Sequence, residues 1–376
     1  MLIRSITTAC FRNLENQSVA PGSRFNVLAG ENAQGKTNFL EAVYLATTLR
    51  SFRAHRGAEM LRFGEREARV EAMVHTGGIE RELSVLVHER GRQARVDGKG
   101  EASTARYLET GLATVLFTPD DVQLPRGAPS ERRRLLDRAI TNLWPAYLPL
   151  AREYQKTLSS RNQLLKQAAR EGARSGANTM LEVYDQQLCE RGARLVAARL
   201  RYVRALGPQV REAFADISRS GVEGTLHYLC PEGLAGVSDN DIPAVARELQ
   251  LGLERSLSVD RARQMTTTGP HAHDLEFRLD GRSTRSFGSQ GQLRALVLAF
   301  KLTQILDVFR KRDDYPVLLL DDVSSELDQV RNDYLFDFIN KIPCQVMLTT
   351  TRPRLVALAD NRLDFKVVKG RIEALV

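Results

Sequence analysis

The residue types of GENAQGKT (30–37) suit the cradling of a polyphosphate. Gly30 and Gly35 let the chain wrap tightly, so that the backbone N–H groups from Glu31 through Asn32, Ala33 and Gln34 turn inward as an anion nest. Lys36 is placed to reach β- and γ-phosphates, and Thr37 to ligate Mg²⁺. The flanks agree with this chemistry. FNVLAG (25–30) reads as a short buried strand, and NFLEAVYLAT has helical spacing with Phe39, Leu40, Val43 and Ala46 on or near one face. Strand, glycine loop and helix are the context that a P-loop requires, and the helix N-terminus adds partial positive charge.

A second group lies at the far end of the chain. YPVLLLDDVSSELD (315–328) runs four apolar residues into Asp321 and Asp322. A continuous apolar run suits a central parallel strand, and ligands of open α/β sheets bind at the carboxyl ends of such strands. Asp321 is expected to hold Mg²⁺. Asp322 is expected to orient or deprotonate an attacking water, which makes Asp322 and Lys36 the catalytic candidates. Between the two groups, SFGSQGQLRALVLAFKL (286–302) opens a helix with Leu293, Leu296, Val297 and Phe300 in period. Ser289 reads as its N-cap, and Ser289, Gly291 and Gln292 at a helix N-terminus form a further candidate anion site.

These elements must be positioned by a sizeable fold. The chain has 376 residues, 43% hydrophobic, a formal charge of +8 and a pI near 9.4. Two lobes are expected, and the charge favours a polyanionic partner, nucleic acid first and an anionic membrane surface second. No apolar run approaches a membrane span, and the N-terminus lacks a signal-peptide core. Cys10, Cys189, Cys230 and Cys344 form no metal or disulfide pattern and read as reduced thiols of a cytoplasmic protein.

The P-loop lysine and the paired aspartates are further apart in sequence than a minimal P-loop core needs. The middle shows no long heptad repeat but several ordinary helices. In 181–214, Val196, Leu200, Val203 and Val210 share a face, with Arg194, Arg201, Arg204 and Arg211 beside it. Residues 151–220 hold 13 Lys and Arg against 7 Asp and Glu, a net of +6. In LFTPDDVQLPRGAPSERRRLLDRAI (116–140), Ser130 reads as a helix N-cap, and Arg132, Arg133 and Arg134 follow. Those three with Arg194, Arg201 and Arg204 are the candidate contacts to a polyanion, which the resemblance given below implies to be DNA. His271 and His273 have no third clustered ligand and read as an ordered surface strand or loop, not a metal site.

The order P-loop, SQGQ, paired aspartates resembles the ABC ATPase superfamily, with SSELD (324–328) similar to its D-loop and CQVMLTTT (344–351) to its switch strand. GENAQGKTNFLEAVYLA, LRSFR, FTPDDVQLPRGAPSERRRLLD, GPHAHDLEF and SQGQLRALVLAFKL together resemble the RecF family, and CFRNLENQ resembles the opening turn shared with SMC-type heads. The resemblance covers essentially the whole chain. It implies an α/β P-loop ABC-type ATPase head formed by 1–119 and 266–376, with a mainly helical lobe inserted over 120–265 and no long coiled coil. The 266–281 segment would return the chain to the ATPase lobe through a strand pair. It also implies an ATP- and Mg²⁺-dependent homodimer in which Ser289 and Gly291 meet the nucleotide of the partner. The partners implied are duplex, gapped or single/double-strand junction DNA, with RecR and RecO, in helping RecA load during repair. Thr349, Thr350 and Thr351 stand where many ABC ATPases have a switch histidine, and Asp322 where many have glutamate, which implies slow, DNA-stimulated hydrolysis. The residue following the strand at the lobe junction is Asp120, Asp121 or Gln123. Arg53 and Arg56 could serve phosphate, DNA or the dimer interface. The alternatives are the head of another ABC system, SMC-type or transport, and a non-hydrolysing architectural DNA-binding protein.

Overall fold

The computed structural model describes all residues except 172–176, 357, 359–360 and 376. The chain divides into two compact units, 1–123 with 216–220 and 289–376, and 124–215 with 221–288.

The first unit opens with β1 (Leu2–Ala9), β2 (Gln17–Val19), β3 (Phe25–Ala29) and α1 (Lys36–Thr48). β4 (Glu67–Thr76), β5 (Ile79–His88), β6 (Gly91–Val96) and β7 (Lys99–Gly100) follow. Ala68, Val70, Ala72 and Val74 alternate with polar residues along β4 and are buried, the period-2 pattern of a sheet with one face in the core. Five antiparallel pairings build the order β2-β1-β4-β5-β6-β7. Helix α2 (Thr104–Thr110), capped by Ser103, leads into β8 (Thr114–Phe117) and a 3₁₀ turn, Pro119–Gln123.

The second unit begins with α3 (Pro129–Leu143). Its N-cap is Ala128, not Ser130: the Glu131 carboxylate accepts from the Ala128 N–H at 2.8 Å, and Pro129 takes the first turn, where no N–H is needed. α4 (Tyr147–Glu171), α5 (Ala177–Ser218), β9 (Gly224–Leu229), α6 (Glu232–Ala235), α7 (Ile242–Arg263), β10 (Asp274–Leu279) and β11 (Arg282–Ser283) complete it. The middle holds several helices, as expected, and α5 is the longest of them among the described residues, one continuous helix of 42 residues. Its apolar face, with Val196, Leu200, Val203 and Val210, is buried. β10 pairs with β9, Leu275 opposite Tyr228. The 266–281 segment therefore stays in the second unit, and the chain returns after Gly288, not after Met265.

The buried arginines of this unit are paired with carboxylates, as desolvation demands, although Arg161 Nη2 and His273 Nε2 have no hydrogen-bond partner among the described residues. Arg161, fully buried, donates to Asp185, Asp260 and Thr266. Arg199 donates to Asp137, to the Tyr147 hydroxyl and to the Pro270 carbonyl. The two histidines belong to the same core rather than to the surface. His271 Nδ1 lies 2.7 Å from the Tyr154 hydroxyl and its Nε2 3.1 Å from the Thr266 carbonyl. His273 Nδ1 lies 2.8 Å from the Tyr228 hydroxyl.

The chain re-enters the first unit with α8 (Gln290–Arg312), β12 (Val317–Asp321), α9 (Val323–Glu326), α10 (Gln329–Lys341), β13 (Val346–Thr350), β14 (Arg362–Val368) and β15 (Arg371–Leu375). A second sheet forms in the order β15-β14-β3-β13-β12-β8, parallel except for β15. α1 packs on β4 and β5 of one sheet and on β8, β12 and β13 of the other. Contact on both sides buries α1 from Phe39 to Thr47 all round, beyond the single face that its spacing predicts.

Burial pushes His273 down to about 3, with the charges of Arg199, His271 and Arg133 acting in the same sense. A histidine depressed in the folded state binds fewer protons there than in the unfolded chain. Its effect on stability is absent above the unfolded value near 6.5 and grows as pH falls below it. Urea unfolding is expected to lose about 2 kcal/mol between pH 7 and pH 5 on this account, and His273→Asn to flatten that slope.

Candidate nucleotide-binding site

β3 and β13 lie side by side, Leu28 opposite Thr349, and β12 lies beyond β13, Asp321 opposite Thr349. Three carboxyl ends thus converge, and loop 30–35 leaves from one of them. Gly30 is obligatory, because a Cβ there would stand 2.4 Å from the Val367 carbonyl oxygen. Gly35 ends the loop at φ 116°, and Ala33 is also left-handed at φ 63°. The loop is anchored from outside. The Lys369 N–H donates to Gln34 Oε1 at 2.6 Å, the Gly370 N–H to the Gln34 carbonyl at 2.8 Å, and Asn13 Nδ2 to the Ala33 carbonyl at 3.3 Å.

Lys36 folds back across this loop. Its Nζ donates to the carbonyls of Gly30 and Glu31, each at 2.7 Å. Burial lowers the lysine from its ordinary value, opposed by the carboxylates of Asp322 and Asp321. A partly desolvated ammonium aimed into a nest of left-handed backbone fits a polyphosphate. Thr37 Oγ1 and Thr349 Oγ1 both donate to Asp321 Oδ1 at 2.8 Å. A hydroxyl and a carboxylate oxygen at one point are the hard donors that Mg²⁺ takes.

Thr349 also accepts from the Asp322 N–H at 2.9 Å, so one hydroxyl fixes both aspartates. Asp322 sits at φ 48° and half-buried, and its carboxylate accepts no hydrogen bond among the described residues. Thr350 Oγ1 accepts from the Arg352 N–H, and Thr351 lines an open cavity of about 570 Å³ beside Gly30, Glu31 and Asn32. Arg53 reaches Asn38 at 2.9 Å, and its charge is one of those opposing the upward shift of Asp321. Arg56 is exposed. Asp121 is buried, whereas Asp120 and Gln123 are exposed.

At α8, Ser289 Oγ accepts from the Gln292 N–H at 3.2 Å, and Gln292 Oε1 accepts from the Ser289 N–H at 2.8 Å. This reciprocal capping box satisfies two otherwise orphaned donors. Arg331, which its spacing did not single out, packs on Gly291: its nearest nitrogen lies 3.2 Å from where a Cβ would stand. Arg331 is tied to Asp328 of the segment that resembles a D-loop.

The candidate DNA arginines separate by environment. Arg132 is 1% exposed and grips Asp274 with Nε at 3.0 Å and Nη2 at 2.6 Å, so it is a structural residue and not a DNA contact. Breaking such a pair leaves an uncompensated buried charge at a cost of about 3–5 kcal/mol. Arg133 is half-buried and donates to the His273 carbonyl at 2.8 Å. Arg201 and Arg204 are exposed but share Asp239. Arg134 and Arg194 are exposed and make no hydrogen bond or ion pair among the described residues.

Burial raises Asp321 above the ordinary carboxylate value, against the hydrogen bonds of Thr37 and Thr349. A carboxyl raised in the folded state binds more protons there than when unfolded, so stability falls as pH rises through the unfolded value, and the loss is complete above the folded one. Asp321→Asn is expected to raise the melting temperature of the nucleotide-free protein at pH 7 by about 2 °C, with a smaller difference as pH approaches the ordinary carboxylate value of 3.8. Thermal melts across that pH range check this.

Residues 2–373 match the family described as RecF/RecN/SMC N terminal domain. The DNA replication and repair protein RecF of Anaeromyxobacter dehalogenans (strain 2CP-C) is 42% identical over 384 residues, covering 100% of both chains. That of Geobacter sulfurreducens is 38% identical over 375 residues, covering 99% of each. Among solved structures, the recombination mediator protein RecF with ATP, described as part of the RecFOR pathway, superposes with a TM-score of 0.88. It is 31% identical and covers 100% of this chain and 98% of that one. An Smc head bound to the C-terminal winged-helix domain of ScpA has a TM-score of 0.56 at 17% identity, covering 100% of this chain and 97% of that one, a likeness of fold alone. With a family model matching nearly the whole chain and full-length relatives above 30% identity, the chain belongs to the RecF family of ABC-type ATPases, within the wider SMC-like superfamily.

Proposed function

We propose that this chain is an ATP-gated DNA clamp of recombinational repair and replication restart at single-strand gaps. The observation that carries this reading is the Thr37–Asp321–Thr349 cluster beneath the glycine loop, in a chain of the RecF family. The RecFOR pathway named for its solved relatives supports RecO and RecR as partners, with RecA loading as the outcome. A cytoplasmic setting accords with four free cysteines.

Lys36 leaves the carbonyls of Gly30 and Glu31 for β- and γ-phosphate oxygens, whose charge returns the ammonium toward its ordinary value. Thr37 and Asp321 hold Mg²⁺, which when bound neutralises charge on the β- and γ-phosphates. Asp322 orients the attacking water and takes its proton. Thr349 keeps the two carboxylates apart in role by bonding the side chain of one and the backbone of the other. Asp322 is one methylene shorter than the glutamate common in ABC ATPases, and threonine replaces the switch histidine. Hydrolysis is accordingly weak and stimulated by DNA, and the ATP-bound dimer is the working state. In that dimer Ser289 and Gly291 of a second copy complete the γ-phosphate site. Of the six candidate arginines, Arg134 and Arg194, exposed and without a hydrogen bond or ion pair among the described residues, are the first for DNA phosphates.

Binding to a gapped duplex, with and without ATP at two salt concentrations, tests this alongside light scattering. ATP is expected to convert monomer to dimer and to switch on DNA binding. Affinity should fall with salt at a slope of about 0.9 per phosphate contact in log–log form. Ser289→Arg is expected to bind ATP but neither dimerise nor hold DNA, and Lys36→Arg to lose ATP-dependent dimerisation. A wild type that stays monomeric with ATP and ignores DNA overturns the clamp. Asp322→Asn is expected to slow phosphate release about 10²-fold or more while ATP affinity stays within about twofold.

A further inference from the structure

A buried charge pair joins the Pro119–Gln123 turn to α8, and the nucleotide chemistry above does not use it. Lys301 is 5% exposed and Asp121 8% exposed, with Nζ 3.1 Å from Oδ2. The ammonium also donates to the Leu116 carbonyl at 2.5 Å and lies 5.6 Å from the centre of the Phe117 ring. Asp121 Oδ2 in turn accepts from the Thr118 N–H at 2.7 Å. All of these partners sit at or just past the end of β8. That strand runs parallel to β12 with Phe117 opposite Leu320, which brings Thr118 level with Asp321. α9, which begins after Asp322, packs on the same turn.

The pair thus spans two places that the mechanism treats separately. One is the sheet edge holding the aspartates; the other is the helix whose first residues are Ser289, Gly291 and Gln292. Two elements in apolar contact slide at little cost. Two elements joined by a buried ion pair cannot part without stranding a charge out of water. We propose that Lys301 and Asp121 form a latch that makes the turn and α8 move as one body. Nucleotide binding at Asp321 then presents Ser289 and Gly291 to a second copy. Both are positioning residues, and Asp121 is thereby excluded as the residue facing the nucleotide, leaving Asp120 or Gln123. The proposal deepens the clamp reading and rests on α8 being the signature helix.

Removing one partner alone strands the other, so Lys301→Met by itself is expected to unfold too readily to be informative. The double variant Lys301→Met/Asp121→Leu removes both charges at similar volume, an exchange that buried pairs commonly tolerate. Lys301→Gln/Asp121→Asn serves if that core does not accept it. Hydrogen exchange of the full chain with and without Mg-ATP, at protein concentrations too low for dimers, is the first measurement. In the wild type, ATP is expected to change exchange both in 118–124 and in the first half of α8. In the double variant the change in 118–124 persists and that in α8 is lost. At higher concentration the double variant is expected to need on the order of tenfold more protein to dimerise with ATP, with ATP affinity of the monomer within about twofold of wild type. An α8 that responds to ATP in the double variant as in the wild type overturns the latch, as does a wild-type α8 that does not respond. A wild type that fails to dimerise overturns the clamp instead, and the low-concentration exchange still decides the latch.

Discussion

Asp321 ends a strand that is buried along its whole length, and its carboxylate is thereby largely removed from water. Much of the nucleotide end of this protein follows from that placement. An isolated carboxylate in such a position would be neutralised or would unfold its strand. Here Thr37 from the first helix and Thr349 from the neighbouring strand each give it a hydrogen bond. The compensation is incomplete, since burial still outweighs both donors. The protein therefore holds an anion poorly satisfied by its own atoms at the place proposed for a divalent cation. Lys36 is the complementary case, an ammonium partly stripped of water and resting on backbone carbonyls. On the proposed reading Mg-ATP would supply each group with the partner that burial leaves it short of, and the two-sheet packing around α1 keeps them in place meanwhile.

The parts of the site that were legible in the sequence are those written in consecutive residues. A glycine loop needs Gly30 and Gly35 because of local backbone geometry, and that requirement shows in GENAQGKT without any tertiary knowledge. The same holds for VLLLDD, where continuous apolarity implies burial on both faces, and for Ser289, whose cap on α8 involves a neighbour three residues away. What stayed hidden depends on register between distant strands or on which side of a helix meets the core. Thr349 was one of three adjacent threonines, and only the pairing of β12 with β13 sets it opposite Asp321. Asp121 was one of three candidates beside a turn, and nothing local connects it with Lys301. Arg331 carries no signal at all until α10 is packed near α8.

The lobe boundary illustrates the same limit. The strand pair around 274–283 looked like a return to the nucleotide-binding lobe, because the apolar pattern cannot say which sheet a strand joins. Pairing of β10 with β9 decides it, and the Arg132–Asp274 contact ties α3 to that strand. The run of three arginines was misleading for a related reason. Successive helical residues point about a third of a turn apart, so one of them was bound to face inward, and Arg132 does so against an aspartate well separated in sequence.

This changes how the basic middle of the chain is to be understood. Ion pairs do not alter net charge, because their acids are already counted in the +8 of the whole chain. Any long-range attraction for a polyanion is therefore undiminished by the buried Arg161 and Arg199 or by the sharing of Asp239 between Arg201 and Arg204. Close contact is different. An arginine that already holds a carboxylate must give it up to take a phosphate, so the gain is the difference between two similar interactions. Arg134 and Arg194 have no such exchange to make among the described residues. On the proposed clamp reading, encounter and grip therefore have separate origins: the summed field of the chain would set how fast a duplex arrives, while side chains unpaired among the described residues would set how firmly it is held.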